Sequence, residues 1–172
     1  ADRRTERVLD FSPEVDELWR RCLPKKPCTV RKDRRYLDWR YRRAPHGEDY
    51  EFLTCRHGGR LAGVLVLRLR SELVPDSAAI VDRVWHDDDD ATAAALLAAA
   101  CRRATEIGRS RVLAMFAPGS PESDHLLARG FTAVPSSEWL ERRLTFRITG
   151  PYVTPELLAT HWRYSLGDTD LV

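Results

Sequence analysis

Residues 78–107, which read AAIVDRVWHDDDDATAAALLAAACRRATEI, limit the possible folds of this chain more than any other stretch. Residues 79–85 are mostly β-branched or apolar, which predicts a buried strand with one carboxylate, Asp82, inside it. Residues 91–107 are rich in alanine and leucine and end at a glycine, which predicts a long helix. A histidine and four consecutive aspartates, residues 86–90, join the two.

A strand that leads directly into a helix usually creates an anion site. The free N–H groups and the positive end of the helix dipole both point at the connecting turn. In this chain the turn is itself negative, because residues 87–90 are all aspartates. Two interpretations stay open: the aspartates cap the helix and leave no phosphate site, or the turn keeps an anion-binding role. Capping and the dipole favour the first.

Composition indicates a folded chain rather than a disordered one. Its 172 residues are 43% hydrophobic and 31% charged, which favours one domain with a substantial core. The formal net charge of +2 gives no support to nucleic-acid binding, and no apolar run approaches the ~20 residues of a membrane span. The N-terminal residues lack the apolar segment of a signal peptide. The first residue, Ala1, is not Met, which is typical of a processed or excised piece of a longer chain.

The four cysteines are scattered, and none has the C-x-x-C spacing of a metal site. Cys22, Cys55 and Cys101 each fall on an apolar stripe, and Cys28 lies in a proline-rich connector. We therefore expect buried free thiols rather than disulfides or metal ligands. This usage favours a reducing compartment and a cytoplasmic location.

Periodicity and turn signals predict the element order β-α-α-β-β-β-α-β-α-β-β. The expected strands are residues 6–11, 50–56, 60–70, 79–85, 111–116, 131–134 and 140–148. The expected helices are residues 13–22, 31–43, 91–107 and 120–129, with a short helix or turn at 155–162. The second helix is rich in arginine and aromatic residues. Either its arginines lie in solvent over packed aromatics, or it is a platform for a phosphate or an acidic substrate.

This order resembles the GNAT fold of the acetyl-CoA-dependent N-acyltransferases over residues 6–148, with residues 149–172 as a C-terminal extension. Residues 126–131, LLARGF, look like the family's L-x-x-x-G-F element. The block YLDWRY at residues 36–41 and the closing W…GD-x-D at residues 162–170 resemble a GNAT-related group of bacterial envelope and exopolysaccharide settings. In that group such a domain can be the second half of a longer chain. The expected fold is an α/β domain with a mixed, twisted sheet and helices on both faces.

The resemblance implies a site for acetyl-CoA or another acyl-CoA at the start of the third long helix. There the family's motif Q/R-x-x-G-x-G/A holds the CoA diphosphate on backbone N–H groups. The corresponding positions are Asp88, Ala91 and Ala93, of which only Ala93 fits the motif. Asp88 reverses the usual charge, and Ala91 restricts close approach of the backbone. Like charges at about 4 Å cost on the order of 1 kcal/mol in water and a few kcal/mol near a protein surface. We therefore expect a degenerate diphosphate loop.

The acyl group and the reacting amine would lie near the strand that precedes this loop. In the family, backbone N–H groups where the sheet splays hold the acyl carbonyl, and the equivalent positions are Val84 and Trp85. Asp82 could act as general base toward an amine if its pKa is raised. Alternatively it is a structural carboxylate held by partners such as Arg83 or Arg40.

Other candidate residues are few. His86 ends the same strand and is a second catalytic candidate, or a bystander. The position where the family often carries its acidic tyrosine is Leu126, and Tyr152 or Tyr164 would substitute only if the C-terminal tail folds over the site. The motif at residues 168–170 could bind a divalent cation, but an ordered turn tied to arginines is favoured, and we expect no metal.

Two functions follow from these interpretations. In the first, the chain is an N-acyltransferase, and an amine on a sugar or an amino-acid derivative attacks an acyl-CoA thioester. In the second, it is a non-catalytic GNAT-like domain that packs against a partner domain or recognises a substrate. A partner GNAT half or a second copy of the chain is the expected protein partner, and no nucleic acid is expected.

Overall fold

The computed structural model describes residues 3–25, 28–71, 73–135 and 152–169. The strands are β1 (Arg3–Val8), β2 (Cys28–Thr29), β3 (Tyr50–His57), β4 (Arg60–Arg68), β5 (Ser77–Trp85), β6 (Arg111–Ala114) and β7 (Trp162–Arg163). The α-helices are α1 (Glu14–Cys22), α2 (Arg34–Leu37), α3 (Asp90–Glu106), α4 (Pro121–Leu127) and α5 (Pro155–His161). A π-helical turn, Asp38–Arg42, continues α2.

The main sheet has the strand order β1-β3-β4-β5-β6. Neighbouring strands are antiparallel except for β5 and β6, which are parallel and are joined by α3. A parallel pair needs a crossover of this kind, because the chain must return to the same end of the sheet. The predicted mixed sheet and the predicted parallel strand after the long helix are therefore confirmed.

Hydrophobic residues cover both faces of the sheet, because successive side chains of a strand point to opposite sides. On one face, Phe52, Val64, Val66 and Val81 pack with α1 and with Leu37 and Tyr41 of the α2 region. On the other face, Leu53, Leu65, Leu67 and Ile80 pack with Leu96, Leu97 and Ala100 of α3. The predicted helices on both faces are confirmed.

Two predicted strands differ from the structure. The first strand is Arg3–Val8 rather than residues 6–11, because Phe11 leaves the strand and packs on the ring of Phe52 at 4.3 Å. Its charged residues are typical of an edge strand, which hides it from a hydrophobic pattern. Residues 131–135 form no strand, although one was predicted at 131–134. The predicted strand at 140–148 lies outside the described residues.

The predicted second helix is shorter than expected. It begins after Asp33, whose side chain accepts the Tyr36 N–H at 2.9 Å, and it changes to a π-helical turn at Asp38. Arg42 and Arg43 are exposed and pair with Asp38, as the interpretation of solvated arginines predicts.

All four cysteines are free thiols, as predicted. Cys22 and Cys55 are buried and Cys28 is half-buried, but Cys101 is exposed, which corrects the prediction that it is buried. Cys101 lies on the solvent-facing side of α3. The sequence did not show this, because the alanine-rich helix is apolar on all of its faces. Within the residues described, no helix is long and apolar enough to cross a bilayer.

Candidate acyl-CoA cleft

The pairing of β5 with β6 ends part of the way along the sheet. It joins Ser77–Ile80 to Arg111–Ala114, whereas β5 continues to Trp85 with β4 as its neighbour. Val84 and Trp85, where the resemblance implies that the sheet splays, thus lie beyond the last residue that pairs with β6. Both of these residues are buried, at 0% and 2% exposure.

A β-bulge sets the face of the sheet to which Asp82 points. Val66 lies opposite Asp82 but Leu67 lies opposite Ile80, so Val81 is an extra residue on β5. A bulge resets the alternation of side chains. Asp82 consequently points to the same face as Val66, toward α1 and α2, and it is 0% exposed.

The Asp82 carboxylate is fully engaged by neighbouring groups. It contacts Nζ of Lys32 at 2.7 Å, accepts the Tyr41 hydroxyl at 2.8 Å and the Ser165 hydroxyl at 3.3 Å, and accepts the Arg83 N–H at 3.0 Å. The carboxylate is held by partners, as one interpretation predicts, but not by the expected side chains. The Arg83 side chain points to the opposite face because it follows Asp82 in the strand. Arg40 instead donates to the carbonyl of Gly167 at 3.0 Å.

Lys32 lies between two buried carboxylates, since its Nζ is also 2.9 Å from Asp168. Burial lowers the pKa of Lys32, but Asp82 and Asp168 outweigh it and the pKa is raised overall. Burial raises the pKa of Asp82, and Asp168 adds to this effect against the attraction of Lys32. A raised pKa meets one requirement of a general base. The complete burial of Asp82 leaves no access for an amine.

A second buried ionic cluster lies on the opposite side of β5, around Arg83. Its guanidinium donates to Asp87 at 2.9 Å and to the Trp85 carbonyl at 2.8 Å, pairs with Glu122, and lies 4.8 Å from the centre of the Trp85 ring. Arg163 of β7 pairs with Asp87 from the other side. The first aspartate of the acidic turn, residues 87–90, is therefore part of the protein interior.

The other three aspartates of the acidic turn also have cationic partners. Asp88 pairs with Lys25, Asp89 with Arg3 at 2.7 Å, and Asp90 with Arg129 at 2.7 Å. A hydrogen bond from Lys25 lowers the pKa of Asp88, and one from Arg129 lowers that of Asp90. All three carboxylates are ionised at neutral pH.

Asp89 caps α3 with its own carboxylate. The carboxylate accepts the Thr92 N–H at 3.0 Å and the Thr92 hydroxyl at 2.7 Å, and the Asp89 carbonyl accepts the Ala93 N–H at 3.0 Å. Burial raises the pKa of Asp89, but the bonds from Thr92 and Arg3 outweigh it and the pKa is lowered. The predicted helix cap is confirmed, and the predicted loss of a phosphate site stays a prediction. The Thr92 N–H, one of the donors that would face a CoA diphosphate, already binds a carboxylate of the chain, and Asp88 and Asp89 place negative charge at the same turn, so the residues present do not fit that group.

The remaining candidates of the acidic turn are dispersed. Ala91 is exposed and Ala93 is buried under the sheet. His86, whose side chain is 42% exposed, accepts the Asp88 N–H at 3.3 Å. It lines an open pocket of about 240 Å³ with Arg21 and other residues of α1 and the β3–β4 turn, while Asp82 lines a separate cavity.

The C-terminal residues supply groups that sequence patterns only partly identified. Tyr164 lines the same cavity as Asp82, whereas Tyr152 is 91% exposed and Leu126 belongs to the core. Residues 166–169 form an ordered turn tied to an arginine, as predicted, because Arg40 donates to the carbonyls of Gly167 and Thr169. The Asp168 carboxylate itself is bound by Lys32, which the sequence did not indicate. Among the described residues, no cluster of three His, Cys, Asp or Glu side chains could hold a metal ion.

Lys32 is the residue that sequence reasoning missed. It is the cation shared by Asp82 and Asp168, yet it appeared as one of many basic residues in an arginine-rich segment. The sequence feature most closely related to Lys32 was the pair of motifs at residues 36–41 and 162–170. Tyr36, Tyr41 and Asp168 of those motifs all surround the same buried charges.

Comparison with solved structures identifies the fold. A ribosomal-protein-alanine N-acetyltransferase from Brucella melitensis biovar Abortus 2308 matches with a TM-score of 0.59 and 18% identity over 85% of this chain and 100% of that one. A Bacillus subtilis acetyltransferase in complex with CoA matches with a TM-score of 0.52 and 19% identity over 75% and 76%. A Bacillus halodurans transcriptional regulator matches with a TM-score of 0.58 and 13% identity over 86% and 100%.

No known family profile matches the sequence, and no curated protein matches it. The resemblance to envelope-associated GNAT proteins therefore stays a prediction. The strand order, the parallel pairing of β5 with β6 and the similarity to solved acetyltransferases together show that the chain has the GNAT fold.

His125, buried beside the second ionic cluster, makes the stability of this region depend on pH. It accepts the Trp85 indole N–H at 3.4 Å. Burial lowers its pKa, and the nearby Arg83 and Arg129 lower it further against Asp90 and Glu122. A histidine with a lowered folded pKa stabilises the fold above its unfolded pKa of about 6.5, and this stability is lost as pH falls below that value.

We therefore expect wild-type protein to lose more stability than His125→Gln between pH 7.5 and pH 5. Glutamine keeps an acceptor and cannot gain the charge. Urea midpoints at both pH values measure the difference. An equal loss in the two proteins would contradict this role of His125.

Proposed function

We propose that this chain is a GNAT-fold domain that does not take acyl-CoA at the usual position of the fold, and that it serves as a non-catalytic domain for partner packing or substrate recognition. One observation carries the proposal. The Asp89 carboxylate occupies the N-terminus of α3, held by Thr92 and Arg3. This is the position that the fold otherwise offers to a diphosphate.

Electrostatics support this interpretation. A diphosphate at the turn would meet the carboxylates of Asp88 and Asp89, and each like-charge pair at about 4 Å costs roughly 1–4 kcal/mol between water and a protein surface. Two such pairs weaken binding by one or more orders of magnitude. The neighbouring cations, Lys25 and Arg3, offer no compensation while they pair with these aspartates.

A second candidate function is N-acyl transfer from acyl-CoA to an amine, on a sugar or an amino-acid derivative. It is favoured by Tyr164, which lines the same cavity as Asp82, so that a hydroxyl and a carboxylate of the kinds that acyl transfer uses lie on one cavity. The N-acetyltransferase names of several solved relatives support it as well. The fold alone does not decide, since a transcriptional regulator shares it.

The proposed partner is another GNAT-fold domain or a second copy of this chain, and the proposed location is the cytoplasm. The four free thiols support a reducing compartment.

The test removes the negative charge of the turn and keeps its cap. In Asp88→Ser with Asp89→Ser, serine still caps α3, and Lys25 and Arg3 become available to an anion. We expect acetyl-CoA to leave the melting temperature of the wild type unchanged up to millimolar concentration and to raise that of the variant. Asp10→Ser with Asp124→Ser makes the same change in net charge elsewhere and should not respond. A wild-type shift that saturates in the micromolar range would overturn the proposal.

A further inference from the structure

The C-terminal residues 162–169, called the strap below, run into the gap between β5 and β6. The strap begins with β7, which pairs in parallel with β2. Ser165 then forms an isolated antiparallel bridge with Phe116, just beyond β6. A 3₁₀ turn, Leu166–Asp168, follows. The strap therefore lies where the sheet is open.

The strap fills this gap almost completely. Leu166 is 2% exposed and joins the core cluster of α1 and α2. A Cβ added to Gly167 would lie 1.8 Å from the Tyr41 hydroxyl and 2.9 Å from the Val81 carbonyl, so the backbone of Gly167 rests directly on β5. The cavity that remains beside Asp82 has a volume of about 20 Å³. That volume holds about one water molecule, and an acyl-thioester arm is far larger.

Side-chain charges, rather than a long backbone ladder, hold the strap in place. Lys32 binds Asp168 at 2.9 Å and the Ser165 hydroxyl at 2.8 Å. Arg40 donates to the carbonyls of Gly167 and Thr169. Within the part of the chain that the structure describes, the backbone pairing of the strap consists of the two residues of β7 and the single bridge at Ser165.

We propose that the strap is a built-in occupant of the acyl-thioester cleft, latched by Lys32, and that it undocks as a unit while the five-stranded sheet stays folded. The ladders of the main sheet do not include the strap, so its release breaks none of their hydrogen bonds. The buried charges regain hydration when it leaves. Local opening of a segment costs at most the free energy of global unfolding, and the core strands set that upper limit.

Hydrogen exchange followed by mass spectrometry on the full chain tests the proposal. In the wild type, we expect peptides covering residues 162–169 to exchange more slowly than an unstructured peptide, by about tenfold or more. Lys32→Met leaves Asp82 and Asp168 buried without their shared cation. We expect this variant to accelerate exchange in the strap by about tenfold or more, with β3 and β4 unchanged. Lys25→Met, which removes a more exposed lysine from its pair with Asp88, should change neither region.

Gly167→Ala tests undocking in a second way. The added Cβ would clash with Tyr41 and Val81 and should accelerate exchange in the strap, while every charge stays in place. Glu156→Ala on the exposed start of α5 is its control. Wild-type strap peptides that exchange at the unstructured rate would overturn the proposal. Equal acceleration of the strap and β4 in both variants would do the same.

This test does not depend on the proposed lack of acyl-CoA binding. Exchange rates report docking of the strap, and a coenzyme titration reports the diphosphate site.

Discussion

Arg83→Met is expected to destabilise the protein by about 3–5 kcal/mol, which is the range for removing one member of a buried ionic cluster. The side chain of Arg83 is 2% exposed and is shared by Asp87 and Glu122. Methionine fills a similar volume but leaves both carboxylates poorly compensated, because Arg163 pairs with them from one side only. Urea unfolding followed by circular dichroism should show a lower midpoint with an unchanged slope.

The matched control is Arg20→Met. Arg20 pairs with Glu17 on the exposed face of α1, where both side chains are about half exposed or more, at 67% and 47%. Exposed pairs contribute only about 0–1 kcal/mol, so this variant should unfold nearly as the wild type does. If Arg83→Met were no more harmful than Arg20→Met, the charges around β5 would not be buried as described.

Gly63→Val is expected to destabilise the protein by about 3 kcal/mol through overpacking between β4 and α3. A Cβ at Gly63 would lie 2.5 Å from Cγ2 of Thr92 and 2.7 Å from Cδ1 of Leu96. Gly63 lies outside the region of positive φ, so the backbone accepts valine and the effect is steric. The first turn of α3 would have to move, and with it the Thr92 groups that bind Asp89. Thermal or urea unfolding measures the loss.

Ala62→Val is the control for this substitution. Ala62 is half-buried, lies in the irregular start of β4, and faces the open pocket of about 240 Å³. We expect a change of about 0.5 kcal/mol or less, as for most surface substitutions. A similar loss in both variants would argue against the close contact of α3 with the sheet.

The fold was largely predictable because its signals are local. Runs of mostly apolar residues define β3 and β4, the glycine turn joins them, and the alanine-rich run with its acidic start defines α3. The edge strand β1 was misplaced by three residues, since its charged residues follow no hydrophobic pattern. Edge strands depend on pairing with a neighbour, which only the tertiary structure reveals.

The candidate site was less predictable because it depends on contacts between distant residues. Asp88 and Ala91 showed from the sequence that the acidic turn departs from the family's diphosphate motif. The residue that caps the N-terminus of α3, however, is Asp89. The bulge at Val81 reverses the direction of Asp82, so its partner is Lys32, fifty residues earlier. Side-chain spacing within one strand cannot show either fact.

Titration calorimetry of acetyl-CoA into the unmodified chain tests the central claim most directly, because it reports binding of the coenzyme whether or not a reaction follows. With Asp89 on the donors of α3 and the strap in the cleft, we predict no saturable heat up to millimolar ligand. A single-site isotherm with a micromolar dissociation constant would contradict the account. The protein would then bind the diphosphate and the thioester arm of the coenzyme despite Asp89 and the strap.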